Sequence, residues 1–315
     1  MDKHARILVA GAHGLVGSAI CRRLNRLGYS SVLRPDRTEL DYLDATAVNR
    51  WFEASRPEYV FMAAARVGGI LANMTKPVEF LRDNLIVQIN LLDASFHHQI
   101  AKVQFLGSSC IYPRLSPQPI REEYLLTGPL EPTNEPYAVA KIAGIRLAQA
   151  YTSEYGMRTI SLMPTNLYGP GDNFHPRTSH VLPALVRRFH EAAQDGVSDV
   201  GVWGTGTPRR EFLHVDDLAS AAVFLMQSYE DPEVINVGAG DDISIRDLAL
   251  MIGEIAGFKG RITFDSTKPD GMPRKLLDSS KMRALGWEPE ISLRDGIRQT
   301  LDWYVANLAS LPAGR

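Results

Sequence analysis

Cysteine is nearly absent from this 315-residue chain, and the two present, Cys21 and Cys110, make neither a disulfide framework nor a zinc-ligand spacing. No apolar run approaches the roughly 18 residues needed to cross a bilayer, and Met1 to Arg6 open without a long apolar leader segment, so the chain is expected in the cytoplasm. Charge of one sign is not in excess either: 34 basic against 36 acidic side chains leave a formal net charge of −2, which gives no electrostatic case for nucleic acid or an anionic membrane as partner. Internal repeats, heptads and low-complexity tracts are missing too. What remains is apolar mass, 45% of the residues, sufficient for a large core in one large or two smaller domains.

The apolar run Arg6–Ala10 has strand length and ends in Gly11-Ala12-His13-Gly14-Leu15-Val16-Gly17, after which helical spacing carries on through Cys21-Arg22-Arg23-Leu24. Glycines between a strand and a helix allow a tight turn and let backbone N–H groups approach a pyrophosphate at the helix N-terminus. Cys21 falls on the apolar face of that helix and reads as core. About twenty residues on, where such folds read the adenosine ribose, stand Arg34, Asp36 and Arg37. An acidic side chain there suits a free 2′-hydroxyl and arginines suit a 2′-phosphate; the two arginines favour NADP(H), with Asp36 between them pulling the other way.

Strand and helix patterns then alternate: Tyr59–Ala65 as a buried strand, Asn84–Leu92 as a helix, Val103–Ser108 as a strand, Arg158–Met163 as another. Repeated βα units imply a parallel sheet with helices on both faces, and Ser108 falls at a strand's C-terminal end, where open α/β sheets bind ligands. A Pro-rich loop leads to Thr133-Asn134-Glu135-Pro136, which suits a helix start, and Gly156 suits its end after Tyr155. Tyr137 and Lys141, four apart on that helix, share one face, where an ammonium can depress the phenol's pKa and equip it for proton transfer at a carbonyl. Beyond Pro164-Thr165-Asn166-Leu167-Tyr168-Gly169-Pro170-Gly171 the loops lengthen and the elements shorten, until an ordinary helix from Leu293 to Leu308. Residues 1–170 are expected to form mainly the cofactor domain and 171–315 mainly a substrate lobe, with some chain returning to the first domain.

Together, Gly11, Gly14, Gly17, Ser108, Tyr137, Lys141 and Leu167–Pro170 resemble the extended short-chain dehydrogenase/reductase superfamily. Ala64–Ile70, Gly107–Pro113, Glu131–Ala138, Asp172–Pro176, Arg210–Asp217 and Lys268–Gly271 narrow the likeness to its GDP-sugar epimerase-reductase branch, over nearly the whole chain. The resemblance implies an α/β fold, a Rossmann-type doubly wound parallel sheet with a smaller α/β substrate-binding lobe. It also implies an NADPH-dependent enzyme that epimerises GDP-4-keto-6-deoxy-D-mannose at C3 and C5 and reduces C4, giving GDP-L-fucose.

Carried over by position, Ser108, Cys110, Tyr137, Lys141 and His180 are the implied catalytic residues, with Cys110 as base and His180 as acid. Unaided by the likeness, Cys110 reads as a small buried residue and His180 as a loop or capping histidine. The implied NADP(H) site takes Gly11 to Gly17 (including Ala12, His13, Leu15 and Val16), Arg37, Leu106, Gly107, Lys141, Pro164, Asn166, Leu167 and His180. The GDP-sugar is assigned Arg188, Trp203, Arg210 and Asp270, with Arg209 an alternative to its neighbour. One departure stands out: His13 occupies a position where the family often has arginine, which leaves Arg37, with Arg34, to carry the NADP preference. A homodimer is expected through the helix ending at Tyr155. The alternatives are a 4-epimerase or 4,6-dehydratase of the same fold, and a non-catalytic NADP(H)-sensing protein, which would be expected to lose Tyr137 or Lys141.

Overall fold

The computed structural model describes residues 1–176, 178–268 and 270–310; Pro269 of the Lys268–Gly271 stretch lies outside the described residues. In chain order the elements are β1 (Ile7–Ala10), α1 (Leu15–Arg26), β2 (Val32–Leu33), α2 (Ala45–Ser55), β3 (Tyr59–Met62), α3 (Ile70–Thr75), α4 (Asn84–His97), β4 (Lys102–Leu106), α5 (Glu135–Tyr155), β5 (Thr159–Pro164) and β6 (Asn166–Tyr168). They continue with α6 (Val181–Gln194), β7 (Asp199–Trp203), β8 (Arg209–Arg210), β9 (Phe212–His214), α7 (Val215–Ser228), β10 (Val234–Val237), β11 (Ile243–Ser244), α8 (Ile245–Ile255), β12 (Arg261–Asp265), β13 (Arg274–Lys275), α9 (Ser280–Ala284) and α10 (Leu293–Asn307).

Six strands pair in the order β10-β5-β4-β3-β1-β2, every pairing parallel. Alternation along β1 shows how the sheet is covered: Ile7 and Val9 enter one core with α1 and α7, while Leu8 and Ala10 enter another with α2, α4 and α5. The chain leaves β1 for β2 on one side and returns to β3 on the other, so the carboxyl end of β1 is a topological switch point, where such sheets bind ligands. A third core, with Tyr168, Leu185, Phe189, Phe212, Leu248 and Ile297, belongs to α6, α8, α10 and the short strands around them.

Two strands end earlier than their apolar runs. β3 stops at Met62, and β4 stops at Leu106 because Ser108 leaves the ladder to cap a short turn, its Oγ accepting from the Cys110 N–H at 3.2 Å. α5 spans the expected residues: Pro136 sits in its first turn and Gly156, at φ +70°, ends it. Asn134 holds the N-cap position without a side-chain capping bond.

Close docking fixes α5. A Cβ on Gly144 would come within 2.5 Å of Gln88 Oε1 and 2.6 Å of the Phe105 ring, and Gln88 Nε2 donates to the Ala140 carbonyl at 2.5 Å. Glycine inside a helix costs about 1 kcal/mol of propensity, and here it lets α5 seat against α4 and β4. Lys102 anchors the other face of the sheet. Almost wholly buried, its ammonium donates to the Leu225, Met226 and Tyr229 carbonyls at the end of α7 and pairs with Glu230 at 3.1 Å.

Candidate active site

The loop after β1 is built to receive an anion. Gly11 adopts φ +82°, and a Cβ on Gly17 would sit 2.1 Å from the Gly11 carbonyl oxygen, so α1 can begin this close to the loop only with glycine there. Gly14 caps α1 without a side-chain acceptor, and no acidic residue lies in its first turn, which leaves first-turn N–H groups for a pyrophosphate. At the end of β2 the competition between Asp36 and the arginines is decided locally. Asp36 Oδ1 accepts from Thr38 N and Oγ1 at 2.7 Å and from Glu39 N at 3.1 Å, and these bonds hold its carboxyl below the usual carboxylate range. Asp36 is thus spent on its own turn, while Arg34 and Arg37 are exposed and, among the described residues, unpaired. His13 Nε2 approaches the Arg34 carbonyl at 3.3 Å.

Ser108, Cys110, Tyr137 and Lys141 converge beyond the carboxyl end of β4. Lys141 is buried, its Nζ donates to the Leu106 carbonyl at 2.6 Å, and burial lowers its pKa to about 8. Its ammonium lies 5.9 Å from the centre of the Tyr137 ring. The sequence suggested that this ammonium depresses the tyrosine's pKa; the phenol is instead pushed up. Desolvation dominates, a negative charge at Cys110 adds to it, and a hydrogen bond with Ser108 opposes it. The reason is positional: Lys141 spends its donor on a main-chain carbonyl, and the phenol is left to Ser108. A phenol kept protonated at neutral pH is a proton donor in waiting.

His180 stands at the N-cap of α6, with its side chain free of capping. The residue is exposed to solvent. Burial, then the Lys275 ammonium, lowers its pKa, and solvent at the open side weakens both effects. Its imidazole is therefore mainly neutral at pH 7.

In the second lobe Arg209 is engaged by Asp242, Nε to Oδ1 at 2.5 Å. Arg210 turns to the cleft, where its Nη1 donates to the Met272 carbonyl at 2.6 Å and it feels the charges of Asp270 and Glu131. Asp270 itself accepts from Thr205 N at 2.9 Å and Oγ1 at 2.7 Å. Trp203 is 70% exposed on the open face of β7, with Lys268 Nζ 5.9 Å from its ring, and Arg188 donates to the Gly201 carbonyl on the same strand at 2.6 Å. Gly107 N donates to Leu162 O, which seats the turn before Ser108 beside β5, and Asn166 Nδ2 donates to the Glu211 carbonyl at 2.7 Å.

Two residues in this region escaped sequence reasoning. Glu211 is fully buried and accepts from Gly240 N and Leu277 N, tying three segments of the second lobe together. Lys275 places Nζ 3.5 Å from Cys110 Sγ. In the run Arg274-Lys275-Leu276-Leu277 nothing distinguishes it from a surface charge; only the fold turns it inward.

This is the architecture of an extended short-chain dehydrogenase/reductase, with a dinucleotide loop at the switch point after β1 and a Ser–Tyr–Lys set two strands away, beyond β4. The chain belongs to the NAD dependent epimerase/dehydratase family, whose model matches residues 7–238. It is similar over nearly its whole length to GDP-L-fucose synthases. GDP-L-fucose synthase 1 of Arabidopsis thaliana is 55% identical over 309 residues, covering 98% of this chain and 96% of the plant protein. The GDP-L-fucose synthase of Escherichia coli is 50% identical over 311 residues, covering 96% of this chain and 97% of its own. Among solved structures, a GDP-L-fucose synthetase from Naegleria fowleri bound to NADP superposes with a TM-score of 0.91 at 30% identity, covering 99% of this chain and 97% of that one.

Proposed function

We propose that this chain is a GDP-L-fucose synthase: it epimerises GDP-4-keto-6-deoxy-D-mannose at C3 and C5 and reduces C4 at the expense of NADPH. The observation that carries the reading is the turn that joins Cys110 to Tyr137 through Ser108, whose hydroxyl accepts from the Cys110 N–H at 3.2 Å and also hydrogen-bonds the Tyr137 phenol. A proton-exchanging group next to a carbonyl-reducing group is what a combined epimerase-reductase needs, and a plain 4-epimerase does not.

The first-turn N–H groups of α1 hold the cofactor's pyrophosphate, and Arg34 and Arg37 hold its 2′-phosphate. When bound, NADPH supplies hydride to C4. Ser108 and Tyr137 hold the C4 oxygen, first as the ketone oxygen whose charge grows as a proton leaves C3 or C5, and later as the oxygen that Tyr137 protonates during reduction. Cys110 removes the proton, and His180, once it has taken a proton from solvent, returns it on the opposite face. Lys141 orients the cofactor ribose from its place on α5. Arg188 and Arg210 meet the diphosphate, Trp203 offers an apolar face to the GDP-sugar, and Asp270 orders the loop that carries Arg210's carbonyl partner. Residues 1–170 and the returning α7, β10 and α9 form the cofactor domain, and most of the remaining chain forms the substrate lobe.

The chain works as a cytoplasmic homodimer that pairs α4 and α5 with their copies. Supporting this are the exposed Ile89, Val139 and Tyr155 and the ring cluster of Phe96, Tyr151 and Tyr155 on those helices. Light scattering that returns the mass of a single chain would end that part of the reading.

The deciding experiment follows NADPH oxidation with GDP-4-keto-6-deoxy-D-mannose, repeats it with NADH, and identifies the sugar formed. GDP-L-fucose produced faster with NADPH is expected. Oxidation of neither cofactor, with NAD carried tightly by the purified protein, would overturn it in favour of a redox-neutral nucleotide-sugar enzyme.

A further inference from the structure

Lys275 has no part in the chemistry just described, yet it lines the same small cavity as Cys110. It is 8% exposed and is carried by β13, which runs parallel to β8 with Lys275 opposite Arg210. Its ammonium reaches from the substrate lobe to the Cys110 sulfur on the cofactor domain, and among the described residues that sulfur is its hydrogen-bond acceptor. Glu131, a carboxylate lining the same small cavity, is held by Arg114 at 3.3 Å. The backbone on both sides of Lys275 is pinned by one residue: Glu211 N donates to the Lys275 carbonyl at 3.3 Å, and the buried Glu211 carboxylate accepts from Leu277 N at 3.0 Å.

A buried ammonium without a carboxylate is costly unless another anion faces it, and a thiolate is the anion this cavity can provide. We propose that Lys275 is a positioning residue for the epimerisation, its ammonium holding the Cys110 sulfur as a thiolate aimed into the cleft. The inference rests on the reading of Cys110 as the base. In the step it serves, the C–H bond next to the ketone breaks, an S–H bond forms at Cys110, and the electron pair moves to the C4 oxygen, while Lys275 keeps its proton throughout. The same ammonium disfavours a charged imidazole at His180, so Lys275 rather than His180 balances the sulfur in the substrate-free site. The thiolate in turn helps keep the Tyr137 phenol protonated for its later donation.

Alkylation of the free protein by iodoacetamide at pH 7 tests the pairing without turnover. Cys21, whose thiol burial pushes up to about 11, stays silent and can also be removed as Cys21→Ser. Lys275→Met, which keeps the apolar stem, should slow alkylation of Cys110 about tenfold, and Lys275→Arg should restore most of the rate. Solvent-deuterium incorporation at C3 and C5 should fall in parallel, with NADPH affinity unchanged. Unaltered alkylation in Lys275→Met together with a raised KM would overturn the proposal and give Lys275 to the diphosphate. The underlying reading fails by a different result: Cys110→Ser exchanging deuterium at the wild-type rate while Lys275→Met still slows alkylation.

Discussion

At the scale of single residues, the cleft separates two jobs that share one oxygen. In the proposed reaction Tyr137 protonates it and Cys110 creates charge on it, so their removal should have different signatures. Tyr137→Phe should lower reduction by about 10²- to 10⁴-fold and leave deuterium exchange at C3 and C5 detectable, whereas Cys110→Ser should lower exchange by a similar factor and leave NADPH binding intact. Nuclear magnetic resonance of the recovered substrate reads one, and NADPH oxidation the other. Lys141 adds a pH limit. Its pKa of about 8 means that the ammonium holding the Leu106 carbonyl, and proposed to orient the ribose, loses its charge as pH rises through that value. For the free enzyme, kcat/KM should therefore decline above about pH 8, and a profile flat to pH 10 would show that the charge is not needed. The positions of Tyr137 and Lys141 were legible in sequence from their spacing on one helix. The direction of the tyrosine's shift was not, because it depends on where the lysine's proton points and how much water reaches the phenol.

At the scale of elements, the turn from β1 into α1 is the most constrained stretch of the chain. Gly17→Ala puts a methyl carbon 2.1 Å from a backbone oxygen, so α1 must move away from the loop. A loss of about 1–3 kcal/mol in stability is expected by calorimetry, with NADPH affinity falling by more than stability alone explains. This loop was readable because glycine spacing is a backbone property and survives without tertiary information. The short strands were not. β8, β11 and β13 have two residues each, too few to show any period, and exist because Glu211 and their neighbours pin them. Asp36 is an intermediate case: its placing after β2 was visible, but its engagement with Thr38 and Glu39 is a detail of turn geometry.

At the scale of the whole molecule, burial has left one carboxylic acid out of balance. Asp172 is 7% exposed, one of its side-chain oxygens has no partner, and desolvation raises its pKa to about 7. An acid whose folded pKa lies above its unfolded value of 3.8 contributes stability that is fully present below 3.8 and is lost as pH rises to about 7. Asp172→Asn removes that dependence. Its stability relative to the parent, followed by denaturant unfolding, should rise between pH 4 and pH 7 and level off above, a difference of a few kcal/mol at most; a difference that does not vary with pH would show that Asp172 is not the group responsible.

The sequence by itself determined the parallel sheet, the dinucleotide turn, the span of α5 and the face it shares between Tyr137 and Lys141. Each of these follows from local periodicity, glycine and proline positions, and the requirement that apolar runs be buried. The tertiary structure alone decided which of Arg209 and Arg210 faces the cleft, why Asp36 does not contest the arginines, and that Lys275 meets Cys110. Those outcomes depend on contacts between residues far apart in the chain, where one buried charge settles the direction of its neighbours and no spacing in the sequence records it.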